Sequence, residues 1–373
     1  MLLRSPIAVV SAGLVCSLGL SARAACAAVR ARLESFEETL FFDDAGFPIV
    51  GAAIPPGALD LEGDDDTSVA LPEARLAHML AMAVLDCVTS GVGPPGLPSS
   101  AQPVTKVDPP RAALWVVAPE EGRYALGPAG LDRCFQECAA ALGGGSFAQV
   151  GAERIGSPGL VEALAKAGDL LASPDIDVVL VAGVDSLLDA GDIAEALGRD
   201  RVLTHGVRDG FVPGEAAACV LVTRAPPPPA PGEPRRSPAL TVRGLGSARE
   251  TQTLDAELPS RGEGLARAIR EALDQAGVAA HEVSARLADV SAESYFFEEA
   301  SYAWSRLLRA PSPPGYQLVA PVTRVGHVGA AMGVLLLVLA LDSLRRGLSA
   351  GPLSLVHLSG SGPPRGAVVV AAS

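Results

Sequence analysis

The sequence predicts an α/β protein built from two successive sets of strands and helices. Three observations carry this. Apolar strand-like runs alternate with helical stretches of ten or more residues, which calls for crossover connections and a buried, parallel or mixed sheet. Hydrophobic residues make up 49% of the 373, punctuated by 40 glycines and 31 prolines, a composition of packed bodies and not of disordered chains. The segment APPPPAPGEPRRSP (225–238) is proline-rich and charged without apolar periodicity, as an exposed connector would be. The length suits two packed halves, and we expect them at 1–224 and 239–373.

Before the connector, the pattern gives a strand near 5–10, an alanine-rich helix over 21–34 and a helix near 72–89. A strand at 112–118, a helix at 129–142, a helix near 158–172 and strands at 176–183 and 216–223 follow. After it come a strand at 239–244, a helix at 262–276, a strand at 285–290 and a helix at 297–309. A strand near 317–320, a helix at 328–346 and strands at 352–357 and 366–371 close the chain. The acidic patch LEGDDDT (61–67) reads as a solvated loop ahead of a helix.

The first 27 residues admit two readings. Arg4, an apolar run and an Ala-x-Ala at Ala22–Ala24, just before Ala25, fit a secretory signal, whereas Ile7–Val10 fits a first core strand, with SAGLVCSLG (11–19) as the loop after it. The strand is preferred, because cleavage would remove a central piece of the sheet, and a cytoplasmic protein is the consequence. The apolar stretch Ala330–Leu341 is about a dozen residues, short of the ~20 a membrane span needs, so it reads as a buried helix.

A net charge of −13, with no basic run longer than Arg235–Arg236 or Arg345–Arg346, excludes a nucleic-acid footprint. The six cysteines, at 16, 26, 87, 134, 138 and 219, lack paired metal spacing and lie in apolar segments, as reduced core thiols do. Cys134 and Cys138 are one helical turn apart with no accompanying histidine, which reads as helix packing and not as a metal site. No cofactor is called for.

The most specific stretch runs from the apolar strand IDVVLVAGVDS (176–186) to RDGFVPGEAAACVLV (208–222). Gly210 and Gly214 around Pro213 fix a tight turn, and Glu215 opens a small-residue core strand. In order and wording this resembles the first half of the β-ketoacyl-(acyl-carrier-protein) synthases of the thiolase-like superfamily. The strand bearing Asp185 matches their Gly-Gly-x-Asp/Glu strand, and Arg208, Gly210, Gly214 and Glu215 match their Arg-Asp-Gly-Phe-x-x-Gly-Glu-Gly-Ala turn, with Ala216 in place of a glycine. The resemblance implies the five-layered αβαβα duplication, a dimer, and burial of Arg208 and Glu215 with partners.

It also implies a site, most of whose chemistry is missing. A Claisen condensation needs a thiolate to carry the acyl chain and two donors for the enolate oxygen. The family's Ala-Cys-x-Ser motif falls on IGSPGL (155–160), which puts Gly156 at the nucleophile position and Ser157 beside it as a weak substitute. RVGHVGAAMGVLLLVLAL (324–341) resembles the second-histidine segment: His327 is retained, with Gly326 and Gly333 matching, while Val322 replaces the lysine. After the strand LADV (287–290) no histidine follows, and Glu293 or Ala292 takes the place of the first one. In the closing turn GSGPPRGA (360–367), Gly360 and Gly362 survive, Ser361 replaces the gating aromatic and Pro363 removes a backbone donor. His327 without these partners reads as a structural, hydrogen-bonded histidine. A synthase-like chain without condensing activity is therefore expected, serving as partner subunit or acyl-binding scaffold in fatty-acid or polyketide-type metabolism. It would pair as a homodimer or with a complete β-ketoacyl synthase, and would meet an acyl carrier protein. The alternative is an active 3-oxoacyl synthase with an unusual nucleophile.

Overall fold

A computed structural model of the chain describes residues 5–59, 72–89, 107–123, 126–225 and 237–373. The acidic patch 61–67 and most of the connector lie outside these residues. The strands of the first repeat are β1 (Ile7–Cys16), β4 (Ala112–Val117), β5 (Gln149–Glu153), β6 (Val178–Ser186) and β7 (Glu215–Arg224); a small hairpin, β2 (Glu37–Phe42) and β3 (Pro48–Gly51), stands apart. Those of the second are β8 (Leu240–Arg249), β9 (Ala285–Ala288), β10 (Gln317–Val319), β11 (Leu353–Ser359) and β12 (Pro364–Ala372).

The sheet order is β10-β9-β11-β12-β8-β1-β7-β6-β4-β5. Outward from the centre, each side runs through its strands in the chain-order ranks first, fifth, fourth, second, third. The senses agree as well: first to fifth and fifth to fourth antiparallel, fourth to second and second to third parallel, on both sides. Among the described residues the strands of the two sets pair only in a short antiparallel contact, Ile7↔Val242 to Val9↔Leu240. One topology used twice is the duplication that the resemblance implied.

Helices fill the layers. Between the two sets lie α4 (Gly159–Leu171) and α9 (Ala331–Arg345), sharing one apolar cluster with strands of both repeats. Outside the first set lie α2 (Pro72–Thr89) and α3 (Pro128–Ala141), and outside the second α6 (Glu263–Ala276) and α7 (Ser294–Leu307). The sequence Ala-Met-Gly-Val-Leu-Leu-Leu-Val-Leu-Ala-Leu of α9 is apolar on every side because every side is covered, as expected for a helix between sheets. Its two polar interior groups have partners: Asp342 pairs with Arg30 and Arg346, and Arg345 donates to the Val10 and Pro238 carbonyls. In each repeat the outer helix presses directly on the first strand. A Cβ on Gly13 would collide with Ala83 of α2, and one on Gly244 or Gly246 with Ala272 or Ala268 of α6.

Several expected bounds move. SAGLVC does not form a loop but continues β1 to Cys16 past a bulge at Val9/Ser11, with the Ser11 hydroxyl donating to the Cys87 carbonyl. β9 stops at Ala288, so Asp289 and Val290 fall outside the strand. The hairpin β2–β3, strand β5 and helix α5 (Ala190–Gly198) were not anticipated. Among the described residues no helix is long and apolar enough to cross a membrane.

Candidate active site

The turn after β6 is built around two buried carboxylates. Glu215, 2% exposed at the start of β7, accepts from Arg75 Nε at 3.0 Å and Nη2 at 2.5 Å, from the Ile54 backbone at 2.8 Å and from the Ser186 hydroxyl at 3.3 Å. That full set of partners is what a carboxylate in a core requires. Arg208, expected to share this burial, is instead exposed. The cation that pairs with Glu215 is Arg75 of α2, remote in sequence from the turn. Gly210 and Gly214 are forced by close approach: a Cβ at either would stand 2.6 Å from backbone atoms of Val202 and Leu203, or of Val325. Asp185, fully buried at the end of β6, accepts from Arg123 at 3.2 Å and from the Ala330 backbone at 2.8 Å, and burial pushes its carboxyl up to about 6. Arg123 also grips Asp192 with two bonds of 2.8 and 2.9 Å.

This turn carries the His327 loop. The His327 backbone N–H donates to the Val212 carbonyl at 2.8 Å, and its carbonyl accepts from Gly214 at 3.0 Å. Gly326, at φ +69°, makes the bend. The ring lies edge-on to Phe211, centroids 5.1 Å apart. Its Nδ1 is sealed with no hydrogen-bond partner, so the expectation of a structurally hydrogen-bonded imidazole is corrected. Burial, reinforced by Arg201 and Arg123, lowers the ring to about 3, which keeps it neutral near pH 7.

Ser157 and His327 line one pocket of about 340 Å³, together with Glu120, Arg123, Arg201 and Ser361. Gly156 lies at its edge just ahead of α4, at φ +72°, a left-handed conformation that side chains adopt at a cost. A Cβ there would stand 2.5 Å from Glu120 Oε1, so an acid carboxylate occupies the space over the nucleophile position. None of the six cysteines lines the pocket; all are buried, and burial raises the thiols of Cys16 to about 11 and of Cys26 and Cys134 to about 12.

The neighbour of Gly156 has a partner that sequence reading passed over. The Ser157 hydroxyl donates to the carboxylate of Asp289, the first residue beyond β9, whose own N–H donates to the His357 carbonyl at 3.0 Å. Glu293, expected at the first-histidine place, turns away into a bidentate pair with Arg201 at 2.8 and 2.9 Å and accepts from Ser291; Ala292 does not line the pocket. Arg201 also reaches Ser361 at 3.3 Å, across the position expected to have lost its aromatic gate. The carbonyls of Gly360 and Gly362 point back to Arg365 Nη1 at 3.0 and 2.6 Å, and that arginine is itself held by Glu299 at 2.8 Å. Gly333 sits in α9 where a Cβ would press on the Ser157 carbonyl at 2.9 Å. In the sequence Asp289 falls within the expected strand 285–290, whereas β9 ends one residue before it.

Asp289 makes a pH test available. Burial raises its carboxyl to about 7, opposed by the Ser157 hydroxyl and the Ser359 backbone. Against an unfolded value of ~3.9, the folded chain holds an extra proton between about pH 4 and pH 7, so this group lowers stability as pH rises through that window. Asp289→Asn is expected to flatten the fall. Thermal unfolding followed from about pH 5 to about pH 8 should show the variant gaining on the wild type as pH rises; a difference independent of pH would mean that the carboxyl titrates normally.

No protein-family model matches the chain, and no curated protein matches it in sequence. Solved structures do match its fold over nearly the whole length. The ishigamide ketosynthase/chain length factor is 16% identical at a TM-score of 0.70, covering 98% of this chain and 99% of that one. A ketosynthase (ApeO) in complex with its chain length factor (ApeC) from Xenorhabdus doucetiae gives 14% and 0.69, with 99% and 98% covered. A type II polyketide-synthase acyl-carrier protein in complex with its ketosynthase bound to the hexaketide (AntDE:AntF) gives 15% and 0.71, with 99% and 100% covered. With its doubled topology and layered helices, the chain has the five-layered αβαβα fold of the thiolase-like ketosynthases.

Proposed function

We propose that the chain is a ketosynthase-like partner subunit of polyketide-type metabolism that does not itself condense acyl thioesters. One observation carries this: the nucleophile position is Gly156 in a left-handed conformation, with the Glu120 carboxylate standing over it. A thioester carrier there would need a side chain, and an anion beside it would oppose thiolate formation. Supporting it, the one imidazole lining the pocket is held neutral, no histidine stands at Ala292 or Glu293, where the family's first was expected, and Asp289, the first residue beyond β9, meets the Ser157 hydroxyl. Solved relatives of this fold include ketosynthases paired with chain length factors, and a complete ketosynthase is the heterodimer partner we propose, with an acyl carrier protein as the visiting third component.

The Ser157–Asp289 contact supports a second reading, an active acyltransferase with serine as nucleophile, since a carboxylate can draw the hydroxyl proton. Intact-mass spectrometry after incubation with acyl-carrier and coenzyme A thioesters separates the two. No acyl adduct on the purified chain is expected; an adduct mapped to Ser157 would overturn the proposal in favour of the second reading.

A further inference from the structure

Away from the pocket, under α7, a group of polar side chains is buried without partners. Arg286 of β9 is 7% exposed, and its Nε and Nη1 are sealed with no hydrogen bond. Among the described residues no carboxylate pairs with it. His357 of β11 is 1% exposed, with neither ring nitrogen bonded. The hydroxyl of Tyr316, just ahead of β10, is likewise sealed and unbonded. Strand register puts these groups together: Arg286 pairs with Leu355 and Ala288 with His357, so Arg286 and His357 lie on one face of adjacent parallel strands, two residues apart along the ladder. Trp304 of α7 covers Arg286 and Tyr316, 4.9 Å from the guanidinium and stacked 6.3 Å from the Tyr316 ring.

A guanidinium cannot shed its proton to relieve burial. Stacking on Trp304 gives its face an attractive partner but leaves the in-plane N–H groups without acceptors. A trapped water could accept a hydrogen bond and still leave the charge uncompensated. What the cluster offers is almost wholly donors: the guanidinium N–H groups, the Tyr316 hydroxyl and one N–H of a neutral His357, whose ring burial and Arg286 together keep unprotonated. The matching ligand is rich in acceptors, negatively charged and small enough to lie beneath one helix.

We propose that Arg286, Tyr316 and His357 form a binding site for a small carboxylate-type anion, of the size of formate, acetate or bicarbonate. The residual exposure of Arg286 marks its way in, beside β10, an edge strand of three residues bonded on one side only to β9. The site is separate from the candidate active site but adjacent to it, since the His357 carbonyl holds the N–H of Asp289.

The test is thermal unfolding of the full chain titrated with sodium formate, acetate and bicarbonate in turn, ionic strength being held with sodium gluconate, which is too large to enter. The wild-type Tm is expected to rise saturably by several degrees with at least one of the three, and the Tm of Arg286→Met to stay flat. A wild type that does not respond, or an Arg286→Met variant that responds equally, overturns the site. Should Arg286→Met fail to fold, Tyr316→Phe decides. Losing one donor to a charged ligand should raise the half-saturating anion concentration about tenfold, and an unchanged midpoint overturns the proposal.

Discussion

Replacing Arg365 with methionine is expected to cost about 3–5 kcal/mol of folding stability, the loss typical of breaking a buried ion pair from one side. Arg365 and Glu299 are both 0% exposed in their side chains, joined by Nε contacts of 2.8 and 3.0 Å to the two carboxylate oxygens. Glu299 also accepts from Ser359 at 2.7 Å, and Arg365 Nη2 donates to the Tyr295 hydroxyl at 3.0 Å. The variant leaves the Glu299 carboxyl inside without its counter-charge, and burial already pushes that carboxyl above its ordinary value. It also frees the Gly360 and Gly362 carbonyls, so the closing turn of the pocket should loosen with the fold. Urea unfolding of Arg365→Met, Glu299→Gln and the double variant checks this. The double variant is expected to recover part of the loss, since two uncharged groups of similar size face each other. A single-variant cost below about 1 kcal/mol would mean that the pair contributes no more than a surface bridge.

What the sequence conveyed about the fold came from features that repeat along the chain. Apolar runs and the all-round apolar helix over Ala331–Arg345 follow from burial on both faces, and burial leaves a compositional trace. Gly210, Gly214 and Glu215 were legible for a similar reason: close backbone approach admits only glycine, and the core strand behind the turn is made of small residues. Arg208 misled because its neighbours matched a motif, while the arginine that pairs with Glu215 is Arg75, brought from α2 by the path of the chain and not by local spacing. The pocket was harder. Glu120 and Arg123, Asp289, and Arg365 come from three separate segments, and nothing in their own neighbourhoods sets a buried charge apart from an exposed one. Asp289 was concealed by a two-residue error in a strand end. Glu120 stands on a connection after β4 whose course only the assembled sheet determines.

Restoring the missing nucleophile is expected to leave the chain inactive: Gly156→Cys should yield no 3-oxoacyl product from acyl and malonyl thioesters. The backbone at φ +72° charges a non-glycine residue about 1–2 kcal/mol. The steric conflict at 2.5 Å is with the end of the Glu120 side chain, which is 40% exposed and tethered by a long 3.8 Å contact to Arg123, so it can give way and the variant should fold. Its thiol would nevertheless enter a pocket with a carboxylate at its edge. That raises a thiol pKa, against the help of the nearby start of α4. Even as a thiolate it would face one neutral imidazole and the Asp289 carboxyl, and each absent enolate donor typically costs ~100-fold or more in rate. The chemistry can be separated from the sterics by adding Glu120→Gln to Gly156→Cys. Removing the negative charge should speed iodoacetamide alkylation of the new thiol about tenfold, equivalent to one pKa unit, while product formation stays absent. Equal alkylation rates in the two variants would clear Glu120 of any electrostatic role, and sustained condensation by Gly156→Cys alone would show that the glycine was the site's only defect, with the remaining groups competent as they stand.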